Sequence, residues 1–473
     1  MKMITRKFFI ISLLLTSVIY AQTSEPLEIR GSTFSGKVVN GETVQEFEGD
    51  VVITQGAVRI TCNKAIQYVA RNEAELIGNV VVTQDSIIIK TERGYYYGDK
   101  KIAFSNSGVR LTDGHVQLES KNGYYYFNEE YSFFYENVKL NDAASKMNAD
   151  RLNYYDDNDK AVAVGNVHVS DTTSTIFADS LIHFRNTDET FAFNNIRIYN
   201  PSNRLAIFGN KLEDYGKNNY AKITDKPFLV RIDTTETGQL DTLIITAKTL
   251  ESYDDSTKKL IATDSVRIVR KNFASVNEQT FYYKNGDHIE TLRRESDTLP
   301  PVMWNDATQM VGDSISLLMR NNRLEKIEIN SNASIITADK DSVNRFDQIS
   351  GKKINLFFGE FGLERTEVEG NALSIYYMYE EEEPNGLIKS SSERAKLLFK
   401  NKKVSDVRFY GKPVSEFHPE NLIEGKEKDF TIPTFRLFTN RPTKENLLLN
   451  RKDILTYLTK DVQYYAGKPD PQK

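Results

Sequence analysis

Apolar side chains recur along this chain in a fixed column pattern. Val51, Val80, Val109, Val138, Val167 and Ile196 stand 29 residues apart, and two positions on come Ile53, Val82, Leu111, Leu140, Val169 and Ile198. Nine positions after each start lie Ile60, Ile89, Leu118, Met147, Ile176 and Leu205. Small side chains follow at Cys62, Thr91, Ser120, Ala149 and Ala178, then an aromatic at Tyr68, Tyr97, Tyr126, Tyr155 and Phe184. Turn formers precede most starts, as in Gly49-Asp50, Gly78-Asn79, Gly165-Asn166 and Asn194-Asn195. Within a unit the apolar positions alternate, so each unit reads as short strands separated by Gly, Asn and Asp rather than as helices. A unit of this size cannot bury a face alone, so neighbours must stack into one apolar interior. The pattern predicts an all-β, elongated stack of strands.

The phase slips after Leu205 and returns. Ala247 to Tyr253, Val266, Tyr283, Gly312 to Leu318, Gly351 to Phe357 and Glu393 to Phe399 repeat parts of the unit. Insertions are expected at 216–240, 286–310, 338–348 and 380–391, where Pro300-Pro301 and the acidic run Glu380 to Glu383 signal loops. The expected division is a signal peptide over 1–21, a first repeat domain over 22–215, a second over 216–425, and a non-repetitive tail over 426–473 with a Thr443-capped helix at 444–450.

Charge and composition narrow the function classes. The chain has 473 residues and a net charge of -5, so it lacks the basic balance of a nucleic-acid binder. One cysteine, Cys62, forbids an intramolecular disulfide framework, and five scattered histidines offer no ligand spacing. No metal or cofactor is expected. The start, with Lys2, Arg6 and Lys7 ahead of an apolar run to Tyr20 and then Ala21-Gln22, reads as a cleaved secretory signal. No later stretch reaches the ~20 apolar residues of a membrane helix.

Gly78-Asn79-Val80, Gly165-Asn166-Val167 with Ala178-Asp179, and Asn148-Ala149-Asp150 with Tyr155 resemble the repeating element of the OstA-like (organic-solvent-tolerance) family, the β-domain of periplasmic lipopolysaccharide-transport proteins. Gly370-Asn371-Ala372 is a late copy, and Pro301 to Trp304, Gln309 and Gly312 to Ile315 resemble the larger members. The resemblance spans roughly residues 30 to 442. It implies antiparallel strands bent into a V-shaped β-jelly-roll groove, or taco. It also implies a non-catalytic periplasmic conduit for lipopolysaccharide or a related glycolipid, with acyl chains in the groove, and a location in the periplasm or peripheral to the outer membrane.

On the resemblance, the groove lining is Ile53, Ile60, Val80, Val82, Ile89, Val109, Leu111, Leu118, Val138, Leu140, Val167, Val169 and Ile176. The residues alone fit a closed β core equally well. The tyrosine column reads as a stacked structural ladder, Cys62 as buried filler, and the basic stretch Lys389 to Lys412 as a solvated strand edge, with phosphate contact as the alternative. Catalysis finds no support, because no nucleophile–base set, paired carboxylates or phosphate loop stands out. The other reading is an exported β-solenoid adhesin or scaffold that binds through its surface. Unpaired terminal strands near Ile29–Val39 and Val404–Phe409 would accept related β-domains, or a second copy, by edge addition.

Overall fold

Consecutive left-handed residues set the architecture. Gly49 and Asp50 have φ of 78° and 47°, and the same pair of positive values recurs at Gly78-Asn79, Glu136-Asn137, Gly165-Asn166 and Asn194-Asn195. Only Gly, Asn and Asp enter this region at low cost, which is why they fill most of these positions. Each pair opposes a single residue on the neighbouring strand, so the ladder slips there, as between Glu48 and Val51 or Ile77 and Val80. Such two-against-one bulges bend a strand. Every strand is thereby folded into two arms that meet at a corner, and one 29-residue unit supplies two such strands.

The computed structural model describes residues 26–457 apart from 235–239, 284, 286–287, 321–322, 340–341, 343, 382 and 401–402. The expected signal segment lies outside the described residues. The chain forms two compact units, the first ending at Ser132 and the second starting at Phe133. Strand pairing among the described residues is antiparallel, with the next strand in the chain or, where strands are split at their corners, with one beyond it.

In the first unit the strands include Glu42–Gln55, Val58–Tyr68, Glu73–Gln84 and Ile87–Tyr97. The arms 44–48, 64–68, 73–77 and 93–97 form one wall, here wall A. The arms 51–55, 58–62, 80–84 and 87–91 form wall B. Alternation sends Ala65, Leu76 and Tyr96 of wall A and Ile53, Ile60 and Val82 of wall B to the same buried interior. Each aliphatic so placed contributes roughly 1.5–3 kcal/mol. Arg59 and Lys90 on the outer face of wall B stay in solvent.

The second unit repeats this plan with longer excursions. One interior cluster joins Ile315, Ile327, Ile329 and Ile354 of wall A to Met310, Ala333 and Ile335 of wall B. Two sequence expectations are corrected here. The boundary at 215/216 does not separate compact bodies: Leu205–Tyr215 pairs with both Tyr220–Thr224 and Phe228–Thr234. The segments expected as insertions at 216–240 and 286–310 carry strands, because Tyr220–Thr224 and Phe228–Thr234 are the two arms of one bent strand with its corner at Asp225-Lys226. What slips is the length of the connections, not the strand pattern.

The tail beyond His418 is ordered against wall B of the second unit, on the face away from the interior. Ile423, Phe430, Ile432 and Phe435 pack on Ile375, Tyr377 and Leu387. Phe438 and Leu447 pack on Val269, Val302 and Trp304. Leu448, Ile454 and Tyr457 pack on Phe208, Phe228 and Val230. Within it lies the helix Lys444–Leu448, whose N-cap Thr443 accepts from the Asn446 amide. The tail makes this part of wall B buried on both faces, and its strands accordingly read as apolar runs such as Val302-Met-Trp304.

Candidate functional site

The interior between the walls is where the residues expected to line a groove on the family resemblance are found. Of the thirteen lining candidates, Ile53, Ile60, Val80, Val82, Ile89, Val109, Leu111 and Leu118 are buried in the first unit, and Val138, Leu140 and Val167 in the second. Val169 and Ile176 are only half-buried. All thirteen lie on wall B; the opposing wall A side chains lie outside the set.

At the corners, polar side chains hold the bulges. Asn166 Nδ2 donates to Asp150 across 2.8 Å, Asn195 Nδ2 to Asp179 across 2.7 Å, and Asn332 Nδ2 to Asp313 across 2.9 Å. The tips of wall B are closed by aspartates spaced 29 apart: Asp113, Asp142 and Asp171 each accept from two following amides. Burial pushes the Asp171 carboxyl up, but the amides and hydroxyls of Thr173 and Ser174 outweigh it and leave it below the ordinary range.

Away from the corners the walls meet at their tips. In the first unit, Gln55 ends an arm of wall B and is 3% exposed. Its Nε2 donates to the Gly98 carbonyl of a wall A tip across 3.0 Å, and its Oε1 accepts from the Tyr96 hydroxyl. One repeat on, Gln84 occupies the place of Gln55, and its Oε1 is buried without a hydrogen-bond partner. The sequence signal for both glutamines is their 29-residue spacing at strand ends.

The aromatic column at Tyr68, Tyr97, Tyr126 and Tyr155 lies half-buried on the outer face of wall A. Arg71 sits 4.3 Å over Tyr68, and Lys160 sits 5.3 Å over Tyr155. The interior positions belong to the preceding residues, Tyr96, Tyr125 and Tyr154, which are buried. Cys62 is buried, its thiol donates to the Lys64 carbonyl, and burial pushes it up to about 11. Within the basic stretch, Lys396 pairs with Glu367 at 3.5 Å and Arg408 with Asp406 at 3.0 Å, so part of its charge is already matched. Among the described residues no group of three or more His, Cys, Asp or Glu is placed to hold a metal ion.

The tail is held by glutamines as well as by apolar contact. Gln348 donates to the Phe430 carbonyl across 3.0 Å and accepts from the Ile432 amide across 2.9 Å. Gln309 treats Arg436 and Phe438 alike, at 2.7 and 2.8 Å. Each side-chain amide thus stands in for a neighbouring strand. Arg345, nearly buried, pairs with Glu420 at the start of the tail.

No curated protein matches the chain. Among solved structures it is similar to LptH of Pseudomonas aeruginosa, described as the LptA-homologous periplasmic component of a lipopolysaccharide transport device, at 13% identity and a TM-score of 0.14. That alignment covers 28% of this chain and 76% of the other. Residues 31–118 match the family described as OstA-like protein.

Proposed function

We propose that this protein is a non-catalytic periplasmic conduit for lipopolysaccharide or a related glycolipid, holding acyl chains between the two walls. The observation that carries the reading is the two-walled apolar interior, built by a 29-residue unit whose first copies lie within the OstA-like match. Acyl chains need apolar walls and no dedicated charge, since each methylene removed from water contributes about 0.8 kcal/mol. The net charge of -5 gives anionic head groups no long-range attraction, so they stay in solvent at the mouth.

Export to the periplasm and assembly through strand edges belong to the same proposal. Glu28–Arg30 and Thr33–Val39 pair only with Glu42–Gln55 among the described strands, and Lys403–Tyr410 only with Glu383–Lys400. Phe34 and Val38 at one edge, and Val407 and Phe417 at the other, are exposed. Such edges accept a strand from another β-domain. Mass spectrometry of lipids co-purified with the protein from native membranes tests the conduit. Bound glycolipid supports it; a folded protein repeatedly free of lipid, yet adhering to glycans or surfaces, would favour the scaffold reading.

A further inference from the structure

One interior row changes character along wall B. Ile53, Ile60, Val82, Ile89, Leu111 and Leu118 are buried in the first unit, and Leu140 and Met147 in the second. The row then opens: Val169, Ile176, Ile198 and Ile207 are all half-buried. It closes again at Leu229, 6% exposed, which pairs with Ile207. The four half-buried positions lie on consecutive strands, from Lys160–Ser170 to Leu205–Tyr215; beyond Leu229 the row is half-buried again at Ile245.

The cause lies on the opposite wall. A buried tyrosine recurs every 29 residues in the mouth row of wall A, at Tyr96, Tyr125 and Tyr154. The next position is His183, and along the ladder His183 pairs with Thr190 and Thr190 with Asp214. His183 thus replaces a ring that elsewhere reaches across the interior, while Thr190 stands where the preceding repeat has Ala161. In the neighbouring row of wall A the floor stays apolar, with Ala163, Leu181, Ala192 and Leu212 all buried. The result is an apolar trough with a polar rim.

Resting on the conduit reading, we propose that the acyl chains of the glycolipid seat in this trough, against Val169, Ile176, Ile198 and Ile207. Four aliphatic side chains in one row, facing a floor of alanine and leucine and continuous with the buried interior, present the surface an alkyl chain covers. His183 Nδ1 lies 3.0 Å from Thr190 Oγ1. Burial lowers the His183 imidazole, and burial together with Asp188 raises the Asp214 carboxyl. Both shifts favour the neutral forms, which suits a rim beside hydrocarbon. The mouth row from Tyr154 to Asp214 contains no Lys or Arg, so nothing there draws a phosphate between the walls.

Site-specific photo-crosslinking with purified protein and lipopolysaccharide tests the assignment, with the photo-reactive residue placed in turn at Val169, Ile176, Ile198, Ile60 and Leu118. The expected result is lipid adduct at the first three positions and several-fold less at Ile60 and Leu118. His183→Tyr restores the ring found one, two and three repeats earlier, so folding should survive while adduct at Ile198 falls several-fold. Equal adduct at Ile60 and Leu118, or a yield unchanged by H183Y, would overturn the trough and leave the conduit standing. Adduct at none of the five positions in a folded protein would count against the conduit itself.

Discussion

The hydroxyl of Tyr96 donates to Oε1 of Gln55 across 2.7 Å, tying a tip of wall A to a tip of wall B where both side chains are buried. The bond crosses the space through which a lipid would enter the first unit from the side. Tyr96→Phe removes this bond, a loss of about 1–3 kcal/mol, and Gln55→Leu removes it together with the bond to the Gly98 carbonyl while keeping the volume. Both variants should raise hydrogen exchange at the Gly98 tip, and Gln84→Leu, lacking the Oε1 bond, should not. Unchanged exchange in Y96F and Q55L would mean that the apolar contacts alone hold the walls together.

The corner geometry makes a sharp demand on Gly78. Its φ is 75°, and an added Cβ would lie 2.6 Å from Asn63 Nδ2. Gly78→Ala should cost on the order of 1–3 kcal/mol, read as a lower denaturation midpoint of the first unit. A midpoint equal to wild type would show that the corner can rearrange.

Asp347 gives a pH signature. Burial raises its carboxyl from 3.8 to about 6, against the Tyr377 amide that it accepts from. A carboxyl raised on folding binds its proton more tightly in the native state, so its penalty is absent below about pH 4 and complete above pH 6. Asp347→Asn keeps an acceptor for the amide and removes that penalty. It should stabilise the second unit at pH 7.5 by on the order of 2–3 kcal/mol and leave stability at pH 3.5 nearly unchanged. Equal effects at the two pH values would contradict the assignment.

The single tryptophan reports on the tail. Trp304 is 5% exposed and shares a cluster with Phe438 and Leu447. Gln309→Ala removes two hydrogen bonds to the tail, about 1–3 kcal/mol, beside the ring. Emission of Trp304 should move to the red at denaturant concentrations where the far-ultraviolet signal of the strands is still native. Coincident transitions would show that tail and walls unfold as one.

At the edge, Val407 pairs with Leu397 and is 44% exposed. Val407→Pro should abolish capture of a partner β-domain in a pull-down and spare the first unit. Undiminished capture would exclude strand addition at Lys403–Tyr410.

Much of this architecture is legible in the sequence because it rests on local rules. The corners need Gly, Asn or Asp at positive φ, and the walls need alternation, so both leave a period in the chain. The two-unit division is not legible, since Leu205–Tyr215 pairs across the place where the period slips. Nor is the facing of the tyrosines, where one residue decides between Tyr96 inside and Tyr97 outside. The tail escapes periodicity altogether, because Gln309 and Gln348 meet it through backbone groups 82 to 129 residues away. Pattern in a sequence reports contacts between near neighbours, and these are not.

That same tail constrains the order in which the molecule can be completed. Residues 419–457 are made after every strand they cover, so Phe208, Val230 and Trp304 remain bare on one face while the chain is still being delivered. A growing or truncated chain therefore displays a sticky outer strip beside finished walls, the condition under which β proteins associate wrongly. Maturation of the second unit is a last-arrival event, and a chaperone that engages it has its binding surface hidden only when the final segment lies down.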